Sequence, residues 1–468
     1  MEESGKLILI AVAAFGLAIF IYAAYISDPP LLKLPNIQES LESEIVKSQK
    51  VDPKLLSTLS VDPKKKVRMF VSLEGINATE LEKQGLKIIK KGRYANYAVV
   101  EGDYTTLNKL ISTQGVSKVY KDGVVKAVEI DLSQLGDVGK IPIKPVVQGV
   151  GWNLEAIKAD VVHQSNITGR NAVIAILDTG VNHNLTDLDD HYLTGYDFVH
   201  NDNEPDDQYG HGTKCASIAV AEGETYKGVA PSASYIALKV LNDEGWGNWS
   251  DIIAALEWCL DYVNSGHRID VISMSLGADL APLELQQVCD ELYAKGVILV
   301  AASGNEGSDV SLYPARYDSV ISVAANDILL NVASFSNGEA YVSAPGVQVP
   351  VLAPDGNIYF GDGTSFATPH VAGVLALVES EKDITPQQAF ELLKISTDEV
   401  NDPYNKVEYG QIDAVKAVNN ALNLDLEGEE HWYDIIKEPQ IQIVVGLLLL
   451  VGIIKFYVLK GGGGLVDN

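Results

Sequence analysis

The sequence predicts an α/β protein: a doubly wound parallel sheet with helices on both faces, preceded by a small α+β domain and flanked by two transmembrane helices. Three observations carry this expectation. Residues 172–177 (Ala-Val-Ile-Ala-Ile-Leu) and 297–302 are short continuous apolar runs, the pattern of strands buried on both faces, and helical segments at 215–220 and 371–378 alternate with them. Residues 64–128 alternate strand-like and helix-like patterns on a smaller scale. Two further segments, 7–26 and 441–459, are apolar over about 20 residues, which at 1.5 Å rise cover about 30 Å, a bilayer core.

Taken in chain order, residues 1–27 read as an N-terminal anchor. A cleaved signal peptide is the alternative, since Ala23-Ala24 supplies small residues near the end, but the apolar stretch exceeds the usual length of a signal core. Residues 28–63 read as a juxtamembrane stalk with a polar helix. In 64–128, strands are expected at 67–73, 95–102 and 116–120 and helices at 77–84 and 105–112, a β-α-β-α-β order. Residues 129–150 carry Gly136, Gly139, Pro142, Pro145 and Gly149 and read as a turn-rich linker where processing occurs. A catalytic domain over 151–425, a juxtamembrane segment at 426–440, a transmembrane helix at 441–460 and a tail at 461–468 complete the chain. Lys455 and Lys460 follow the second span, whereas Lys437 precedes it among Glu427, Glu429, Glu430 and Asp434; Lys6 precedes the first. Positive charge marks the cytoplasmic side, so both ends point inward and the body of the protein outward from the cell membrane. Sequons at Asn77, Asn166, Asn184 and Asn248 fit that exposure.

Composition narrows the function. A chain of 468 residues with 47% apolar side chains builds a large core, and a formal charge of −28 excludes a nucleic-acid partner. Eight carboxylates and no Lys or Arg lie between Asp187 and Asp207. With only three cysteines, Cys215, Cys259 and Cys289, the chain is not a disulfide scaffold, although pairing of Cys259 with Cys289 stays open.

Three separated segments carry the chemistry: Ile176-Leu177-Asp178-Thr179-Gly180, His211-Gly212-Thr213, and Gly363-Thr364-Ser365-Phe366-Ala367-Thr368-Pro369-His370. A serine hydroxyl is a poor nucleophile at neutral pH. It needs an imidazole to take its proton and a carboxylate to hold that imidazole in one tautomer. Asp178 ends an apolar strand, where open α/β sheets place their sites. Ser365 opens a helical segment, whose N–H groups and dipole favour negative charge. Asn305, after the run 297–302, offers an amide donor suited to an oxyanion.

With Ser303-Gly304-Asn305, Gly228-Val229-Ala230-Pro231, Ser273-Met274-Ser275-Leu276-Gly277, Tyr313-Pro314-Ala315 and Ala333-Ser334-Phe335-Ser336-Asn337, these segments resemble the subtilisin-like serine proteases, or subtilases, over roughly residues 150–420. The resemblance implies a serine endopeptidase that cleaves protein or peptide substrates through an acyl-enzyme. Asp178 would orient, His211 would act as general base and then acid, Ser365 would attack, and Asn305 with the Ser365 N–H would bind the oxyanion. Ser275, Leu276 and Gly277 and then Ala302, Ser303 and Gly304 would wall the substrate cleft. Leu312 stands where many relatives carry a smaller residue, which implies a shallow apolar pocket that disfavours large aromatic side chains. Residues 64–128 would be an inhibitory prodomain, the alternative being an independent substrate-binding module. The resemblance also implies a buried Cys215 packed beneath the histidine, and calcium held by Asp197, Asp202, Glu204 (through its backbone) and Asp206. The chain departs from the family pattern at Lys214, usually His, at Phe366, usually Met, and at His200, where an acidic residue is expected. A catalytically silent protein with the same fold is the rival reading.

Overall fold

The computed structural model describes residues 50–128, 151–223 and 226–423. The segments expected to cross the membrane, residues 28–49 of the expected stalk, the linker at 129–150 and residues 424–468 lie outside these residues. Among the described residues no helix is long and apolar enough to cross a membrane.

In the N-terminal unit, β1 (Val67–Leu73), β2 (Ile88–Lys91), β3 (Tyr97–Gly102) and β4 (Val116–Lys121) form an antiparallel sheet in the order β2-β3-β1-β4. Its helices, Ala78–Lys83 and Tyr104–Ser112, start at side-chain caps, Asn77 to Thr79 N (3.0 Å) and Asp103 to Thr106 N (3.1 Å). Strand alternation makes this sheet apolar on both faces. Met69, Val71, Ala98 and Val100 pack against the unit's own helices, while Phe70, Tyr97 and Val99 join the core of the larger domain.

Two sequence expectations need correction here. The helix Pro53–Val61 is not part of a stalk: Leu55 and Leu59, one turn apart, are fully buried in the small core, and Val51 bridges to Val119. Its polar residues masked a two-leucine stripe. Strand β2 was also unforeseen, because its burial alternates between half-buried and exposed and its sequence, Ile-Ile-Lys-Lys, has no clear period. The chain then continues into β5 (Val124–Ala127).

The large domain contains β6 (Val173–Asp178), β7 (Tyr192–Asp197), β8 (Ser234–Lys239), β9 (Trp246–Asn248), β10 (Val271–Met274), β11 (Leu276–Gly277) and β12 (Ile298–Ala302). After these come β13 (Val320–Asn326), β14 (Val342–Pro345), the hairpin β15 (Val349–Leu352) and β16 (Ile358–Gly361), β17 (Thr397–Asp398) and β18 (Gln411–Ile412). Nine of them make one sheet, β17-β18-β14-β13-β12-β10-β6-β8-β7, parallel except for the β17–β18 pair. Successive residues of β6 face opposite cores. Ile174 and Ile176 pack with the helices His211–Val220 and Thr364–Glu379, and Val173, Ala175 and Leu177 pack with Trp249–Asn264 and Leu283–Ala294. Strand order reverses between β6 and β10, which opens a crevice at their carboxyl ends.

The small unit sits on the helices Trp249–Asn264 and Leu283–Ala294 through polar contacts as well as apolar ones. Glu257 Oε1 accepts the backbone N–H groups of Arg93, Tyr94 and Ala95 at 2.9, 3.0 and 3.2 Å. Asp122 bonds Ser250 N and Oγ (3.2 and 2.7 Å), which satisfies the free N-terminus of the helix, and Arg68 and Lys90 pair with Asp122 and Asp251. Strand β5 leaves the small unit and inserts between β9 and β11 as the middle of a three-stranded antiparallel sheet.

Candidate active site

Asp178 is the last residue of β6, and His211 begins the helix His211–Val220. Asp178 Oδ1 accepts from His211 Nδ1 at 2.7 Å and from Thr179 N at 2.7 Å. Both side chains are buried, so the pair interacts in a low dielectric. Burial opposes the imidazolium, but the Asp178 carboxylate and the neighbouring Cys215 sulfur outweigh it and hold the His211 pKa well above the usual histidine value. Burial also pushes the Cys215 thiol up, against the pull of His211.

A residue outside the sequence expectations sets this geometry. Asp207, buried at the end of the acidic run, binds Thr179 Oγ1 (2.8 Å), Gly210 N (2.7 Å), Thr213 N (2.8 Å) and Thr213 Oγ1 (2.6 Å). It therefore ties the turn after β6 to the first turn of the histidine helix. Burial raises its pKa and the four hydrogen bonds oppose that rise. Nothing local in the sequence separated Asp207 from the seven carboxylates before it; its place between the turn after Asp178 and the helix of His211 does.

Ser365 lies in the first turn of the helix Thr364–Glu379, whose first N–H groups have no helical acceptor. Pro369, four residues on, lacks the N–H that would bond the Ser365 carbonyl. That carbonyl instead accepts from Ser275 Oγ (2.7 Å) and faces Cys215 Sγ (3.6 Å). Ser275 and Cys215 thus fix the serine's backbone. The proline was legible in the sequence; its consequence was not. His370 on the same helix is structural: Nδ1 donates to Phe366 O (2.8 Å), Nε2 accepts from Asn153 (2.8 Å), and burial lowers its pKa to about 3.

Asn305 Oδ1 accepts from Thr364 N and Oγ1, both at 2.9 Å, which aims its amide Nδ2 across the serine. That amide donates to the carbonyl of Val128 at 3.0 Å. Gly363 has φ 151°, and a Cβ on it would lie 3.0 Å from Asn305 Nδ2, 3.0 Å from Val128 O and 3.1 Å from Ser365 Oγ. The three groups converge on one point, and only glycine leaves it open. The Ser365 hydroxyl has no hydrogen-bond partner; a serine–histidine bond of this kind tightens along the reaction.

The cleft residues come together around β5. Leu276 and Gly277 pair with Ala127 and Lys126, Val128 N donates to Ser275 O (3.1 Å), and Val128, Ala302 and Leu312 form one apolar cluster. Ser303 and Gly304 link this wall to its surroundings, Leu312 N donating to Ser303 O (2.8 Å) and Gly304 N to Thr364 Oγ1 (3.2 Å).

Of the expected calcium ligands, Asp197 and Asp202 are paired through their backbones, Asp197 N donating to Asp202 O (2.9 Å) and Asp202 N to Asp197 O (3.2 Å). Asp197 Oδ1 accepts from Val199 N (2.7 Å) and His200 N (2.9 Å), and its Oδ2 pairs with His200 Nδ1 (2.8 Å). Asp202 Oδ1 accepts from Glu204 N (2.9 Å). Hydrogen bonding to Asp197, then its charge, raises the His200 pKa. Among the described residues, the one set of three acidic, histidine or cysteine side chains with ligand atoms within 4.8 Å of one another is Asp178, His211 and Cys215, whose atoms are committed to each other. The side chains of Asp197, Asp202, Glu204 and Asp206 do not make such a set. Cys259 and Cys289 are buried free thiols, so the pairing left open by the sequence is not made.

A carboxylate–imidazole pair and a serine at the switch point of a parallel sheet belong to the α/β serine hydrolases. The sequence profile of the subtilase family matches residues 169–411. Subtilisin DY of Bacillus licheniformis is 41% identical over 242 residues, 50% of this chain and 86% of that protein. Subtilisin E of Bacillus subtilis is 34% identical over 310 residues, 64% of this chain and 75% of that protein. Thermitase of Thermoactinomyces vulgaris is 40% identical over 218 residues, 46% of this chain and 76% of that protein. The chain belongs to the subtilase family and is a subtilisin-like serine endopeptidase.

Proposed function

We propose that the protein is a membrane-anchored endopeptidase, made with an inhibitory prodomain, that works through Asp178, His211, Ser365 and Asn305. The observation that carries this reading is the peptide carbonyl of Val128, seated on the Asn305 amide beside the Ser365 hydroxyl. In the reaction Ser365 Oγ adds to the substrate carbonyl carbon and His211 takes its proton. The oxyanion then draws on Asn305 Nδ2 and the Ser365 N–H. His211 protonates the leaving amine, and water deacylates the enzyme by the same route in reverse. Asp178 opposes the imidazolium charge in both halves.

Asn305→Ala is expected to lower kcat by about 10² to 10³ with little change in KM, because the donor matters most once the oxygen is charged. Near-normal kcat with a short peptide substrate would remove Asn305 from this role.

The small unit supports the prodomain reading in two ways: it rests on the catalytic helices through Glu257 and Asp251, and it delivers β5 into the cleft. While β5 is seated, no other peptide can pair with β9 and β11. The calcium expected at Asp197, Asp202, Glu204 and Asp206 carries no step of this reaction.

Anchoring rests on the segments at 7–26 and 441–459, whose length and flanking charge support a catalytic domain outside the cytoplasm. Membranes from expressing cells should retain the full-length chain through alkaline carbonate and release it in nonionic detergent. Its recovery in the soluble fraction would overturn the anchoring.

A further inference from the structure

We infer, resting on the endopeptidase reading above, that Glu306 selects a lysine two residues before the residue whose carbonyl is attacked, so that residues 125–128, Val-Lys-Ala-Val, spell the preferred substrate and Val128 is the residue after which the chain is cut. Strand β5 is held as a substrate is held. Val124, Val125 and Lys126 pair with Asn248, Gly247 and Trp246 on one side, and Lys126 and Ala127 with Gly277 and Leu276 on the other. Ala127 N donates to Gly245 O at 3.0 Å and Val128 N to Ser275 O at 3.1 Å. This ladder fixes the register, so Val128 alone brings its carbonyl to the Asn305 amide.

Side chains along β5 alternate between two environments. Val125 and Ala127 are buried in the cluster that contains Leu241, Trp249 and Leu276. Val128 is 2% exposed and packs on Ala302 and Leu312. Leu312 presses on the opposite wall, where a Cβ on Gly277 would lie 2.9 Å from Leu312 Cβ. A branched aliphatic side chain is the size this space already holds. Lys126 points outward, and its Nζ lies 3.2 Å from Glu306 Oε1.

Glu306 is placed for recognition. Its other oxygen, Oε2, accepts from Asn305 N and from Asn337 Nδ2, each at 3.0 Å. Those bonds hold the carboxylate in position and leave Oε1 facing the cation. The residue that reads the lysine therefore adjoins the residue that holds the carbonyl.

The step balances with water as the co-reactant. Ser365 Oγ bonds to the Val128 carbonyl carbon while its proton passes to His211. The bond from that carbon to the next nitrogen breaks, and the nitrogen takes the proton to become the amino terminus of Glu129. Water then adds to the Val128 ester, giving one proton to His211 and on to Ser365 Oγ, and the Val128 carboxylate leaves.

Lys126 and Glu306 are 47% and 37% exposed, so their pair supplies a modest, salt-screened preference, about two- to fivefold. The test takes the full-length chain through self-processing. The downstream fragment is sequenced at its first appearance, and kcat/KM is measured for peptides carrying Val-Lys-Ala-Val and Val-Gln-Ala-Val before the scissile bond. Glu129 is expected at the new amino terminus. The wild type should favour lysine by about two- to fivefold at low salt, and Glu306→Gln, which keeps an acceptor for Asn305 and Asn337, should bring the ratio to about one. A first residue other than Glu129, an indifferent wild type, or a ratio unmoved by Glu306→Gln overturns the inference. Should the enzyme label with a fluorophosphonate and digest casein while starting elsewhere, only this inference falls. If it neither labels nor digests, the endopeptidase reading falls with it.

Discussion

Ser365→Ala is expected to leave the full-length chain as one intact polypeptide, with β5 still seated, where the proposed self-processing would separate the wild type into a prodomain fragment and a downstream fragment. Loss of the nucleophile in this chemistry costs about 10⁶ in kcat, far beyond what the remaining oxyanion donors recover. The fold should be untouched. The Ser365 hydroxyl has no hydrogen-bond partner, so its removal breaks no bond, and the backbone carbonyl keeps Ser275 and Cys215. The measurement is the fragment pattern on a denaturing gel together with fluorophosphonate labelling. Persistent self-cleavage in purified Ser365→Ala, or labelling equal to wild type, would show that another group attacks.

Much of this site could be read in the sequence, because its chemistry is written in short local patterns. Asp178 ends a run of β-forming residues, and Ser365 follows a glycine that opens a helix. The parts that escaped are those that depend on long-range packing. Asp207 is one of eight carboxylates in a row, and only the fold buries it between the turn of Asp178 and the helix of His211. The engagement of Asp197 was not legible either: its carboxylate is turned onto its own loop and His200, which nothing in the run of acidic residues announces. Strand β5 is four residues long, Val-Val-Lys-Ala, and has no partner until the cleft supplies two. No local pattern announces a strand whose pairing residues lie more than a hundred positions away.

The electrostatics of the buried pair yield the second large effect. Asp178→Asn should lower kcat/KM by about 10⁴ and move the acid limb of its pH profile to lower pH. His211 works as a base only when neutral, so activity rises as pH passes upward through its folded-state pKa. In the wild type Asp178 outweighs burial and holds that pKa well above the usual histidine value of about 6.5, which puts the acid limb on the alkaline side of it. An amide at position 178 carries no charge, leaving burial to dominate and to favour neutral imidazole at lower pH. A larger neutral fraction does not rescue the rate, because either orientation of the amide is unfavourable. With its oxygen on His211 Nδ1 and Thr179 N, the NH₂ fills the place of Asp178 Oδ2, which is buried without a partner, and the developing imidazolium has no counter-charge. With its NH₂ on Nδ1, the proton is forced onto Nε2, the nitrogen that must accept from the serine. The test is kcat/KM against pH for wild type and variant with one short peptide. A loss under tenfold, or an acid limb at the same pH in both, would mean that Asp178 neither charges nor orients His211.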